Sequence, residues 1–215
     1  MRRKLVLLAF TTPELNALLL RRTLPELREN HVVPLLKELA GIAEYNATER
    51  VFRFPNGARL RLGYCDGAND VYQYRGQEYD VIGMEEATHF TEEQMRFLTT
   101  CNRTVKPDFR PRMYYTCNPG NVGHGWVKRL FIDRQFQGGE RPEEYAFIPA
   151  RVWDNEVLLA ADPDYVRQLE ALPEDLRRAH LEGDWDVHAG QYFREFSRAK
   201  HVAEPFALPA WWRRF

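Results

Sequence analysis

The sequence predicts an α/β fold with a mostly parallel sheet and flanking helices, and three observations carry that expectation. Short apolar runs of strand length alternate with segments that begin on helix-capping residues. One run, Val81-Ile-Gly-Met84, is apolar throughout, the pattern of a strand buried on both faces. The turn-rich Asn118-Pro-Gly-Asn-Val-Gly-His-Gly125 follows a second candidate strand, Arg112–Thr116, and ligands of such sheets gather outside the carboxyl ends of the strands.

The elements follow in order. Residues 4–10 read as the end of a helix and Ala17–Leu20 as a short buried strand. Thr23-Leu-Pro-Glu26 is a capping box with proline in the first turn, so a helix starts at Thr23. Pro34 breaks or kinks it, and Gly41 ends the second piece. Val51–Phe54 and Ala58–Leu62 form a hairpin whose parity fixes the turn. A two-residue Asn-Gly loop would pair Phe54 with Arg59 and mix the faces. A three-residue loop at Pro55–Gly57 pairs Phe52 with Leu60 and Arg53 with Arg59. Arg53, Arg59 and Arg61 then reach to the other side or the edge, as a solvated face or a DNA-touching one. Thr91-Glu-Glu-Gln94 opens a helix to about Asn102, and Trp126–Arg134 looks helical. Tyr145–Ile148 reads as a strand, Asp162-Pro163 caps a helix through about Leu172, and Pro173 starts another that stops at Gly183. The organisation expected is a core over 1–150, a helical subdomain over 151–187 and an aromatic linker over 188–215.

Composition narrows the class. Of 215 residues, 44% are hydrophobic and 28% charged, as in ordinary globular proteins, and no run of 18 apolar residues suggests a membrane span. Cys65, Cys101 and Cys117 form no C-x-x-C pair, which implies neither zinc nor a disulfide framework and fits a reducing cytoplasm. The net charge of −1 hides an asymmetry: residues 1–63 carry 11 Lys/Arg against 6 Asp/Glu, the remainder 19 against 25. The first third is therefore the part suited to face phosphate.

The chemistry concentrates in Val81-Ile-Gly-Met-Glu85-Glu86, a hydrophobic strand ending in two acids. An acid at a strand tip can hold Mg²⁺ through water, and the next can orient and polarise an attacking water, as nucleotide hydrolysis requires. Two adjacent acids can also simply open a loop. Thr116 and Asn118, in Thr116-Cys-Asn-Pro119, offer a hydroxyl and an amide at the same edge, where they can contact a γ-phosphate; Asn-Pro alone is also an ordinary turn. Arg75 stands beside the flexible Gly76. The phosphate loop G-x-x-x-x-G-K-S/T is absent, since its nearest match, Gly120–Gly125, is followed by Trp126 and Val127.

Together these segments resemble the large terminase subunit of tailed phages, the ATPase and nuclease that pumps DNA into the capsid. Ala17–Leu27, Phe54–Gly57 with Tyr74–Tyr79, Val81–Thr88, Thr116–Gly120 running to Lys128, and Leu181–Trp185 with Gly190–Phe193 and His201-Val202 carry the resemblance. It implies a P-loop NTPase sheet of the ASCE/RecA-like kind, ATP and Mg²⁺ as cofactors, Glu85 as the Mg²⁺-side acid of Walker B and Glu86 as the catalytic glutamate. It places Thr116 and Asn118 in the coupling motif and Arg75 in a segment proposed to supply an arginine finger. It implies double-stranded DNA, a terminase small subunit, a portal protein and a homo-oligomeric ring as partners, in the host cytoplasm and transiently at the procapsid portal. Residues 1–10 align with the end of the helix after Walker A, and the nuclease metal site is expected beyond Phe215. The fold is then incomplete and the isolated chain inactive, with apolar surface exposed under Leu5, Leu7, Leu8, Leu18 and Leu20. Two rival readings remain: a two-metal nuclease built on Asp80, Glu85 and Glu86, and a non-enzymatic remnant that binds DNA or packaging proteins.

Overall fold

The computed structural model describes residues 1–187, 198–203, 206–207 and 211–212. Helix α1 (Arg2–Thr11) leads into the buried strand β1 (Asn16–Arg21). Next comes a helical stretch of α2 (Leu24–Leu27), a π-helical turn (Arg28–Val32) and α3 (Val33–Glu38). Thr23 caps it by accepting the Glu26 amide at 3.4 Å. Pro34 does not end this helix: the chain stays helical, and the widened turn just upstream accommodates the missing amide. Strands β2 (Glu44–Asn46), β3 (Val51–Arg53) and β4 (Arg59–Tyr64) follow. The hairpin has the parity-derived register, Phe52 opposite Leu60 and Arg53 opposite Arg59.

A 3₁₀ segment (Ala68–Tyr74) returns the chain to β5 (Val81–Glu85), which leads through α4 (Glu92–Cys101) to β6 (Arg112–Thr116). The Thr91–Gln94 capping box closes reciprocally, with bonds of 3.0 and 3.2 Å. The sheet order is β2-β3-β4-β1-β5-β6; β4, β1, β5 and β6 run parallel, and the antiparallel hairpin completes one side. Alternation along β1 sends Ala17 and Leu19 to one face, with Leu5, Ala9, Leu27 and Leu35. Leu18 and Leu20 point to the other, with Tyr74, Phe90, Met95 and Leu98. Leu5, Leu18 and Leu20 are therefore fully buried, contrary to expectation, because α1 and the 68–101 layer cover the sheet; of the five leucines named only Leu7 is classed as exposed.

Downstream, α5 (His124–Val127) continues into a π-helical turn (Lys128–Ile132). Tyr145–Ile148 is not a strand. The Tyr145 ring lodges against Phe131 and Phe136, Ile148 is 85% exposed, and no strand pairs with this run among the described residues. Three short helices, α6 (Glu156–Ala161), α7 (Tyr165–Glu170) and α8 (Glu174–Arg177), are followed by a last π-helical turn ending at Gly183. Trp185 joins this helical stretch to the core, its ring beside those of His124 and Phe147. The linker expected over 188–215, and Gly190–Phe193 within it, lie largely outside the described residues. No described helix is long and apolar enough to cross a membrane.

Candidate active site

The parallel register gathers the carboxyl ends of β1, β5 and β6 at one edge. Arg21 ends β1, and Glu85 at the end of β5 lies directly opposite Thr116 at the end of β6. Helix α1 begins over this edge: a Cβ on Gly83 would stand 2.8 Å from Met1 Sδ and 3.0 Å from Leu5, so only glycine lets the helix start this close to β5. Beyond Glu85 the chain turns sharply, and Glu86 takes a left-handed conformation (φ 54°, ψ 56°), rare for a residue with a side chain.

Two basic side chains hold the acids. Arg21 Nη1 lies 3.6 Å from Glu85 and 3.7 Å from Glu86. His31, buried in the π-helical turn, meets Glu85 Oε2 through Nε2 at 2.5 Å. Burial pushes the Glu85 carboxyl up, but the His31 contact and the Arg21 charge outweigh it and keep the carboxyl below its ordinary range. Glu85 is thus an anion at working pH. Cys117 sits nearby with its thiol pushed up to about 12 by burial and by Glu86, so it is no nucleophile there.

The β5 and β6 loops are tied together. The Thr88 hydroxyl, fully buried, donates to the Asn118 carbonyl at 3.1 Å, and the Gly123 amide donates to Thr88 O at 2.7 Å. A Cβ on Gly123 would collide with the Phe90 carbonyl and with Trp126 Nε1, so that position admits only glycine. Thr116 and the side chain of Asn118 stay exposed at the edge. The structure places Glu85, Glu86, Thr116 and Asn118 at one edge of the sheet. Arg21, His31 and Thr88, which the sequence reading gave no role, complete the site; Arg21 at least lies within one of the family-like stretches.

The other candidates lie elsewhere. Arg75 is exposed at the end of the 68–74 segment, stacked over Tyr72 at 5.0 Å, with Gly76 in the left-handed region at φ 75°. Its candidate acidic partners are occupied, Glu78 by Arg103 and Asp80 by Lys106, both at 2.8 Å. Asp80 stands at the start of β5, 3% exposed, and also accepts the Asn16 amide. Burial raises its carboxyl, but the Asn16 amide and Lys106 together hold it below its usual value. It is a structural anchor, separated from Glu85 by the length of β5. That geometry removes the three-acid nuclease site, and no described cluster of three His, Cys, Asp or Glu residues could hold a metal. Arg53, Arg59 and Arg61 line a cleft at this same amino-terminal edge.

This is an α/β domain with a mixed six-stranded sheet and paired acids at the carboxyl end of a central parallel strand. The family of terminase large subunits, T4likevirus-type, N-terminal, matches residues 2–200, and the chain belongs to it. The large terminase of a thermophilic bacteriophage, solved with ATP-gamma-S, superposes with a TM-score of 0.64 at 16% identity, covering 85% of this chain and 42% of that one. Its ADP complex gives 0.65 at the same identity, over 85% and 43%. The large terminase ATPase domain of Thermus phage P74-26 gives 0.52 at 14% identity, over 84% and 80%. The chain thus spans less than half of the first of these terminases. No curated protein matches it in sequence.

Proposed function

We propose that this chain is the ATP-hydrolysing portion of a viral DNA-packaging motor, a terminase large subunit that couples ATP hydrolysis to translocation of double-stranded DNA. The observation that carries this reading is the register of Glu85 against Thr116, with Glu86 held next to Glu85 in a left-handed turn. The residues present fit the acid half of a Mg²⁺–nucleotide site. Mg²⁺ is commonly bound through one or two carboxylates plus phosphate oxygens, so a single ionised Glu85 suffices where no larger cluster exists. Bound there, Mg²⁺ would neutralise charge building on the phosphoryl oxygens.

In this reading Glu85 supplies the charge that holds the ion, and Glu86 orients and polarises the attacking water. Thr116 and Asn118 contact the terminal phosphate. The Thr88–Asn118 bond carries any movement of that loop back to the end of β5. The partners are double-stranded DNA, a terminase small subunit, a portal protein and further copies in a ring, in the host cytoplasm and at the procapsid portal. The Lys and amide cradle of a phosphate loop are not among these 215 residues.

The test uses a large-subunit polypeptide that joins this segment to a phosphate loop. Glu86→Gln should keep nucleotide affinity and lower turnover by at least about 10²-fold, as loss of a proton-handling group does. Glu85→Gln should instead weaken Mg²⁺-dependent nucleotide binding. Equal loss of binding in both variants would overturn the division of roles.

A further inference from the structure

The sheet edge opposite Glu85 and Glu86 carries an open cleft of about 710 Å³, lined in part by Asn16, Arg53, Arg59, Arg61, Gln77 and Tyr79. Its charges are unevenly matched. Arg53 is engaged by Glu49 at 2.5 Å, and Glu78 at the rim is engaged by Arg103. Arg59 and Arg61 make no ion pair among the described residues, although Arg59 stands directly opposite Arg53 in the hairpin, an unfavourable placement of like charges.

Arg61 is half-buried and held by neutral groups alone. Its guanidinium donates to Gln77 Oε1 and, at 3.2 Å, to the Tyr79 hydroxyl, and it lies 5.3 Å over the Tyr74 ring. Such partners fix a guanidinium without cancelling its charge. Arg129, by contrast, is set between Glu92 and Glu140. A pre-positioned, uncompensated arginine beside a second one in a concave site attracts anions and matches phosphate oxygens geometrically.

We propose that this cleft binds the phosphodiester backbone of duplex DNA, with Arg59 and Arg61 contacting neighbouring phosphates; the proposal rests on reading the chain as part of a DNA-moving motor. A mononucleotide fits poorly, because Tyr74 and Tyr79 are buried and offer no face for a base to stack on. Through β1, Arg59 is level with Asp80 and Arg61 with Ile82, so along the strand direction the two arginines stand about 16 Å and about 10 Å from Glu85. Backbone contacts carry no sequence information, as suits a protein that must travel along DNA.

The test measures binding of the 215-residue chain to a fluorescently labelled duplex over a range of salt. Arg59→Ala, at an exposed position, should weaken binding several-fold and lower the slope of log affinity against log salt by about 0.9, the value of one phosphate contact. Adding Arg61→Ala should bring the loss to at least about tenfold and lower the slope by about as much again. Arg141→Ala, outside the cleft, should match the unaltered chain. Glu49→Gln should tighten binding by releasing Arg53. The single Arg59→Ala variant and a thermal melt of each protein separate a binding defect from misfolding. Unchanged affinity and slope in the double variant would overturn the proposal while leaving the hydrolytic reading intact. No duplex binding by the unaltered chain would overturn it too. Displacement of the duplex by millimolar inorganic phosphate or ATP, at constant ionic strength, would assign the cleft to a small phosphate ligand instead.

Discussion

Glu86 occupies a backbone conformation that its side chain disfavours. A non-glycine residue in the left-handed region costs on the order of 1 kcal/mol, and such strain persists where surrounding structure enforces it, often at functional sites. Here the enforcement comes from both sides: β5 is locked in the sheet through Glu85, and Ala87 and Thr88 are buried against the 118–126 loop. The order of stability at this position should therefore reverse the usual one. Glu86→Gly should be more stable than Glu86→Ala by about 1 kcal/mol, or about 2–4 °C in melting temperature for a chain of this size. An alanine variant that melts at the same temperature or higher would show that the turn is unstrained. The two acids were legible in the sequence because they adjoin in it and follow an apolar run. Their partners were not, since Arg21 and His31 reach them from another strand and from a helical turn that only the folded sheet brings near. His31 carried no local signal at all; its placement depends on the widened turn before Pro34.

Among elements, α4 and the irregular stretch after α5 are joined by charge rather than by a ladder. Glu140, its side chain 8% exposed, receives both Arg129 and Arg96, which also share Glu92. The Arg129 hydrogen bond, against the opposing effect of burial, holds the Glu140 carboxyl down to about 2. A carboxyl depressed by folding contributes stability that is complete above its unfolded value, near 4.5, and is lost as pH falls toward 2. Glu140→Gln should cost about 1.5–3 kcal/mol at neutral pH. Its difference from the unaltered chain should shrink between pH 4.5 and 2, and a gap independent of pH would assign the loss to packing instead. The same stretch marks where sequence reading failed. Tyr145–Ile148 has strand composition, yet its first ring is taken by Phe131 and Phe136, and no strand pairs with it among the described residues. The hairpin succeeded for the opposite reason: Phe52, Leu60 and the arginines between them admit a single parity with one apolar face. The short β2 was missed because Glu44-Tyr-Asn46 has no pattern of its own and exists only by pairing with β3.

At the scale of the whole molecule, the sheet separates two kinds of chemistry. The paired acids lie at the carboxyl ends of the parallel strands; the unpaired arginines and Gly76 lie at the amino ends. Arg75, one residue before Gly76, is thus separated from its own Glu86 by roughly the length of β5, about 16 Å. It cannot serve that glutamate in the same chain, yet it is exposed, free of Glu78 and Asp80, and steadied by Tyr72. Those properties support the proposal that Arg75 is offered to a neighbouring subunit. In a ring, one copy's Arg75 would neutralise charge at the next copy's phosphoryl group, a contribution of about 10³–10⁵ in rate where arginine fingers act. Lysine would substitute poorly, because it lacks the planar fork that matches phosphate. Mixing subunits of the large-subunit polypeptide used for the Glu86 test decides the matter. Arg75→Ala and Glu86→Gln assemblies should each be nearly inactive alone. A mixture should regain turnover, because an Arg75→Ala subunit retains Glu86 and can receive the finger of a Glu86→Gln neighbour. Unchanged turnover in Arg75→Ala, or no recovery in any mixture, would leave Arg75 as an exposed residue stacked on Tyr72 and nothing more.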